Sequence, residues 1–229
     1  MQEVGYNMMK KIVAIFIITI TTIISTSFSL YAENDDFFID KKTIDKVEKK
    51  YGLFAKHRVN ALIKLMNSIK NESEEEKLKQ VNHFFNQVRY QSDLKTWGVK
   101  DYWATRMEFL GKDRGDCEDY ATAKYFTLKQ LGIPTKKMYL SYVKATKQKI
   151  AHMVLTYFKT TTSIPLVLDN YNKKILPATK RPDLIPIYSF NGDSLYLAKR
   201  TGLGQEVPSG ISKNKKWTKL LQDIKRNKI

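Results

Sequence analysis

Cysteine is almost missing from this chain. Cys117 is the only one in 229 residues, so no intramolecular disulfide can form. The thiol is an inert buried group, an intermolecular linker or a reactive group. Histidine is nearly as scarce, with three in the chain. His57 and His83 have helix-type neighbours, and His152 alone lies in a stretch of strand character. Acidic residues are in deficit: 23 Asp and Glu against 40 Lys and Arg give a formal charge of +17. Such a balance suits an anionic partner. No basic run is interleaved with aromatics as a single-stranded nucleic-acid site requires, so the excess reads as solvated lysines and no nucleic-acid partner is expected. There is no repeat of fixed period and no low-complexity tract. At 42% hydrophobic and 28% charged, the composition is that of a globular protein with one substantial domain.

A long apolar run is also lacking. The longest, "IVAIFIITITTII" at Ile12–Ile24, has 13 residues, against about 20 needed to span a membrane. It follows "MKK" (Met9–Lys11) and precedes the small, polar "STSFSLYAEN", with Ala32 suited to be the last residue before cleavage. This is the layout of a secretory signal peptide over residues 1–32, with an uncleaved anchor as the alternative because Leu30 is large for its place. Met8 or Met9 is a candidate start. Export is expected, and residues 33–229 are expected to form a single domain.

Within that domain the period is helical first. Asn34–Asp40 is acidic and without a clear period. From Lys41 to Val88 the apolar residues recur at helical spacing: Ile44, Val47 and Tyr51, then Val59, Leu62, Ile63, Met66 and Ile69. Ser73 followed by Glu76 is a capping signal for a helix carrying Leu78, Val81, Phe84, Phe85 and Val88. "DYWATRMEFLG" (101–111) reads as a short helix and "GKDRGD" as a turn. Asp116 then caps a helix with Cys117 in its first turn, stopped by "LGIP" at 131–134. Beyond it the period changes to two. "KMYLSYV" (137–143), "AHMVLTYF" (151–158) and "IPLVLDN" (164–170) read as strands of an antiparallel meander, and "YSFNGDSLYLAK" (188–199) as a hairpin on an Asn-Gly turn. Residues 201–229 read as a polar, basic tail with a final helix around 217–224. Helices followed by an antiparallel sheet make the class α+β. The expected layout is helices over about 41–110, the Cys117 helix and sheet over about 111–200, then the tail.

Cys117, His152 and Asp169 stand in an order that suits nucleophile, base and orienter. A helix start supports a thiolate through its free N–H groups and dipole. A histidine and a carboxylate on consecutive strands can approach it in turn. Taken singly, each has a plainer reading: a small core cysteine, a satisfied strand histidine, an aspartate opening a turn. Asp116, Glu118 and Asp119 flank the thiol and raise the cost of ionising it. Three carboxylates so close are hard ligands of the kind calcium uses, and they are equally explained as cap and first-turn acids. Their spacing is not that of an EF-hand loop.

These segments carry a family resemblance. "VNHFFNQVRY", "WGVKDYWATRMEFLGKDRGDCED", "GDCEDYATAKYFTLKQLGIP", "HMVLTYF", "LVLDN" and "ILPATKRPDLIPIYSFNG" resemble, in order, the LapG-type bacterial transglutaminase-like cysteine proteases. The likeness covers roughly Val81–Gly192, nearly half the chain. Arg106 departs from it, standing where proline is expected. The resemblance implies a papain-like, transglutaminase-like core with Cys117 as nucleophile, His152 as base and Asp169 as orienter. It implies Ca²⁺ held by Asp116 and Glu118, with Asp119. It also implies a periplasmic endopeptidase that clips a large surface adhesin at an Ala-Ala site and so disperses biofilm. The implied inhibitory partner is the periplasmic domain of an inner-membrane cyclic-di-GMP receptor. Acyl transfer to an amine, a non-catalytic binding module and a basic anionic-surface binder remain the alternatives.

Overall fold

The computed structural model describes residues 39–229. The expected export segment, residues 1–32, lies outside the described residues. Among the described residues no helix is long and apolar enough to cross a membrane.

Helices come first, as the periodicity predicts. The chain runs through α1 (Lys41–Tyr51), α2 (Leu53–Ile69) and α3 (Glu74–Phe85), then α4 (Asp93–Trp97) and α5 (Arg106–Lys112). Asp40 caps α1, accepting the Thr43 N–H at 2.8 Å. Ser73 caps α3 by accepting the Glu76 N–H at 3.2 Å. Along α2, Val59, Leu62, Met66 and Ile69 are buried, and Ile63 only partly so. Leu78, Val81 and Phe85 bury the matching face of α3. The helix read over 101–111 begins later, because Thr105 and Glu108 form a reciprocal capping box that sets the start at Arg106. Arg106 is thus the first helical residue, a position where proline's missing N–H costs nothing. Its Nη1 donates to Thr127 Oγ1 at 2.9 Å.

The stretch read as a turn before Cys117 contains a short strand. β2 (Arg114–Gly115) pairs in parallel with β1 (Arg89–Tyr90). The next helix, α6 (Cys117–Gln130), packs against α3, α5, β3 (Met138–Ala145) and β4 (Ile150–Tyr157). Ala121, Tyr125 and Leu128, spaced along one face, are buried, and so are Tyr120, Thr122, Ala123, Lys124 and Thr127. Partners on several sides make α6 the axis of the domain. It stops at Gly132, whose φ of +86° is open to glycine at little cost.

The sheet has seven strands. With β5 (Leu166–Leu168), β6 (Leu176–Pro177), β7 (Leu184–Phe190), β8 (Leu195–Ala198) and β9 (Leu203–Glu206), the order is β6-β5-β4-β3-β7-β8-β9. Every neighbouring pair is antiparallel. Met153 and Leu155 of β4 join the main core, and Val154 joins a smaller cluster with Val143, Val167 and Leu184. That alternation is the strand period read from the sequence. The β7–β8 hairpin turns on four residues rather than on Asn-Gly alone. Asn191 Oδ1 accepts the N–H groups of Asp193 and Ser194 at 2.9 and 3.0 Å, so an Asx turn does the work.

The C-terminal segment is not a tail. β9 extends the sheet, and α7 (Lys215–Lys225) lays Trp217 and Leu220 into the core. Trp217 is stacked 5.5 Å from Phe126 of α6, with the planes 9° apart. The helical core closes around Phe85, which is fully buried and stacked 6.2 Å from Phe109. Phe85→Ala is expected to cost about 3–5 kcal/mol of stability, measured by urea or thermal unfolding. A loss below about 1 kcal/mol would contradict this picture of the core.

Candidate active site

Local rules bring Cys117 to its place. Asp116 is the N-cap of α6, and the Asp119 side chain accepts the Asp116 N–H at 3.3 Å and the Ala104 N–H at 2.8 Å. The two bonds tie the segment before α5 to the start of α6. Gly115 permits the close approach, since a Cβ there would lie 2.3 Å from Asp119 Oδ2 and 2.7 Å from the Phe109 ring. Cys117 is half-buried at the first helical position. Its Sγ lies 3.1 Å from Glu118 Oε2, and the backbone of Met153 on β4 is near enough to favour its thiolate.

His152 and Asp169 meet directly. Their side chains are fully buried, with His152 Nε2 2.8 Å from Asp169 Oδ1. The Tyr171 ring stacks on the imidazole at 4.2 Å, 5° from parallel, and the Tyr171 N–H donates to the same Asp169 oxygen at 3.0 Å. Asp169 Oδ2 accepts from Arg181 Nη2 at 2.7 Å. Burial opposes the charge on Asp169, but the bonds from His152, Arg181 and Tyr171 outweigh it and hold the carboxyl well below the usual range. His152 Nδ1 is buried with no hydrogen-bond partner among the described residues. It makes no hydrogen bond to the thiol. The structure therefore joins two of the three residues directly, and brings the third to Met153, the neighbour of His152.

The acids around Cys117 fall into two groups. Asp116 and Glu118 cluster with the thiol, and Asp116 and Asp119 cluster with Asp93, the candidate ligand atoms within each group lying within 4.8 Å of one another. Asp93, the cap-proximal acid of α4, carries no spacing signal that links it to Asp116. Its Oδ2 accepts the Tyr102 N–H, while its Oδ1, like Asp116 Oδ1, is buried with no hydrogen-bond partner among the described residues. Burial and repulsion from Asp116 push Asp93 up to about 7. Burial and repulsion from Glu118 push Asp116 up to about 8. Glu118 is raised to about 7, chiefly by burial, and Asp119 well above its ordinary range by burial and Asp116. Cys117 is pushed well above the usual thiol value by burial and then by Glu118. These acids are too crowded to ionise together.

That arrangement fits a hard cation. Asp93, Asp116 and Asp119 offer only oxygen, the donor type calcium selects. The other group includes a soft sulfur, which calcium does not favour. Asp116 belongs to both, and Glu118 is in contact with the thiol rather than grouped with Asp119.

Comparison with known proteins gives one family and a set of solved structures. The family described as bacterial transglutaminase-like cysteine proteinase matches residues 57–183. LapG of Legionella pneumophila is 38% identical, covering 82% of this chain and 98% of that one, with a TM-score of 0.69. Its calcium-bound form covers 81% and 99%, and its EGTA-treated form 82% and 98%, with the same identity and TM-score. Among curated protein sequences, none matches.

The acid cluster sets a pH signature. Without a cation, Asp93, Asp116 and Glu118 titrate near 7 to 8 in the folded protein, against about 4 in the unfolded chain. The folded state keeps protons that the unfolded chain releases between these values. The stability tied to them is present below the unfolded value and lost as pH rises through the folded one. A cation replaces those protons. Ca²⁺ is therefore expected to raise the melting midpoint more at pH 8 than at pH 5, each measured against chelator. An equal gain at both pH values, or none, would count against the site.

Proposed function

The chain belongs to the bacterial transglutaminase-like cysteine proteinases, and from that premise we propose that this LapG-like protease is a calcium-dependent endopeptidase with Cys117 as nucleophile, His152 as base and Asp169 as orienter. The observation that carries the reading is the His152–Asp169 bond beside the start of α6. Asp169 occupies Nε2 of the imidazole, which fixes the N–H on that nitrogen. The lone pair is left on Nδ1, the nitrogen that would take the thiol proton. The start of α6 and the Met153 backbone stabilise the thiolate so formed.

Proteolysis then follows in two steps. Sγ attacks the scissile carbonyl carbon, and the imidazolium returns its proton to the departing amine as the C–N bond breaks. Water, deprotonated by His152, cleaves the thioester and restores the thiol. Stacked Tyr171 covers one face of the imidazole and shields its bond to Asp169 from water. Ca²⁺, held by Asp93, Asp116 and Asp119, would supply positive charge beside the thiol and relieve the crowding of acids. Support for calcium comes from the orphaned oxygens of Asp93 and Asp116 and from the calcium-bound relative. Asp116 and Glu118 remain the acids nearest the thiol.

The proposed substrate is the N-terminal region of a large surface adhesin, cut at an Ala-Ala site in the periplasm to release the adhesin and disperse biofilm. The proposed inhibitory partner is the periplasmic domain of an inner-membrane cyclic-di-GMP receptor. Both rest on the resemblance of the Val81–Gly192 motifs and on the reading of residues 1–32 as an export signal. The purified protein in Ca²⁺ is expected to cut an adhesin fragment bearing Ala-Ala, with Cys117→Ala lowering the rate by at least about 10³-fold and excess chelator abolishing it. Cleavage that survives Cys117→Ala would overturn the enzymatic reading. A crosslinked product with added amine and no cleaved fragment would replace it with acyl transfer.

A further inference from the structure

Asp169 is gripped at every acceptor. Oδ1 takes His152 Nε2 at 2.8 Å and the Tyr171 N–H at 3.0 Å. Its backbone carbonyl takes Asn86 Nδ2 at 2.9 Å and Lys124 Nζ at 3.3 Å. Oδ2 takes Arg181 Nη2 at 2.7 Å. A cation on an orienting carboxylate raises a difficulty. Unopposed, it would offset the charge that Asp169 offers the imidazole, and so disfavour the imidazolium that proton transfer creates.

Asp183 removes the difficulty. Arg181 is 2% exposed, and its Nε and Nη2 meet Asp183 Oδ1 and Oδ2 at 3.0 and 2.8 Å. This is the parallel two-bond fork that arginine makes with a carboxylate. The arrangement is a row of charges, Asp183, Arg181, Asp169 and His152, with one negative charge in excess before the imidazole is counted. Pro182 between Arg181 and Asp183 stiffens the segment.

We propose that Arg181 and Asp183 are a positioning pair for the His152–Asp169 dyad. Arg181 fixes the carboxylate so that Oδ1 faces the imidazole, and Asp183 neutralises Arg181 so that the charge of Asp169 stays available to His152. This rests on the reading of His152 as base. Other titratable groups near the dyad are Lys124 on α6, which donates to the Asp169 carbonyl, Tyr171 against the ring, Tyr90, whose hydroxyl is 3.3 Å from that of Tyr171, and Cys117, whose charge would reach Tyr171. Substituting Arg181 or Asp183 leaves all of these in place.

The test is the titration midpoint of the His152 imidazole by NMR, in calcium-containing buffer and a Cys117→Ala background, which removes the thiol. His57 and His83 are internal controls. Arg181→Gln is expected to move the midpoint up by about one pH unit, and Asp183→Asn to move it down. A purely structural role predicts lower melting temperatures without shifts of opposite sign. Movement in the same direction, or none, in folded variants would overturn the proposal. Should Arg181→Gln fail to fold, Asp183→Asn decides alone: a downward shift supports the pair and any other result overturns it. Arg181→Lys keeps the charge and loses the fork, so its midpoint is expected to stay nearer the parent's than that of Arg181→Gln. The readout needs no substrate, so missing protease activity would fault the proteolytic reading without touching this one.

Discussion

Buried carboxylates cannot crowd together and all stay ionised, and the start of α6 is built on that constraint. Asp119 is the keystone. It is 1% exposed and binds the N–H groups of Ala104 and Asp116, so it fixes where the loop before α5 meets the helix bearing the thiol. Gly115 exists as glycine because that carboxylate and the Phe109 ring fill the space a side chain would need. The β1–β2 pairing brings Asp93 to Asp116, an oxygen of each is left unsatisfied, and Glu118 lies against Sγ. Thiol placement and thiol suppression meet at the start of one helix.

The His152 side of the site has the opposite character. There one carboxylate residue, Asp169, is surrounded by donors from five segments: His152 on β4, Tyr171 beyond β5, Arg181 before β7, and, at its backbone carbonyl, Asn86 after α3 and Lys124 on α6. It is kept charged, while the acids near Cys117 are pushed toward their protonated forms. Half of the site is preorganised by the chain alone, and half carries a surplus of negative charge that a divalent cation would balance. Under the proposed function, that asymmetry makes the nucleophile conditional and the base not.

What was legible in the sequence was what local chemistry decides. Ser73, Asp116 and Gly132 mark helix ends because caps act within a few residues, and the switch from helical to alternate spacing after Pro134 marks the sheet. His152 and Asp169 could be paired in advance because consecutive antiparallel strands leave little freedom of placement. Residues recruited from afar were not legible. Asp93 looks like the first-turn acid of a short helix, and only the β1–β2 pairing carries it to Asp116. Arg181 lies in a stretch without periodicity, and its role depends on Asp169 and Asp183 being folded around it. The last helix looked polar and basic because its core contact rests on few residues, Trp217 above all.

The central claim is that Cys117 is a poor thiolate until a cation offsets its acidic neighbours. The most direct measurement is the rate of Cys117 alkylation by iodoacetamide at pH 7, compared between excess Ca²⁺ and excess chelator. With a single cysteine, the chain reports on that site alone. The account predicts a rate at least about tenfold higher in Ca²⁺. Equal rates, with the fold intact in both, would contradict it.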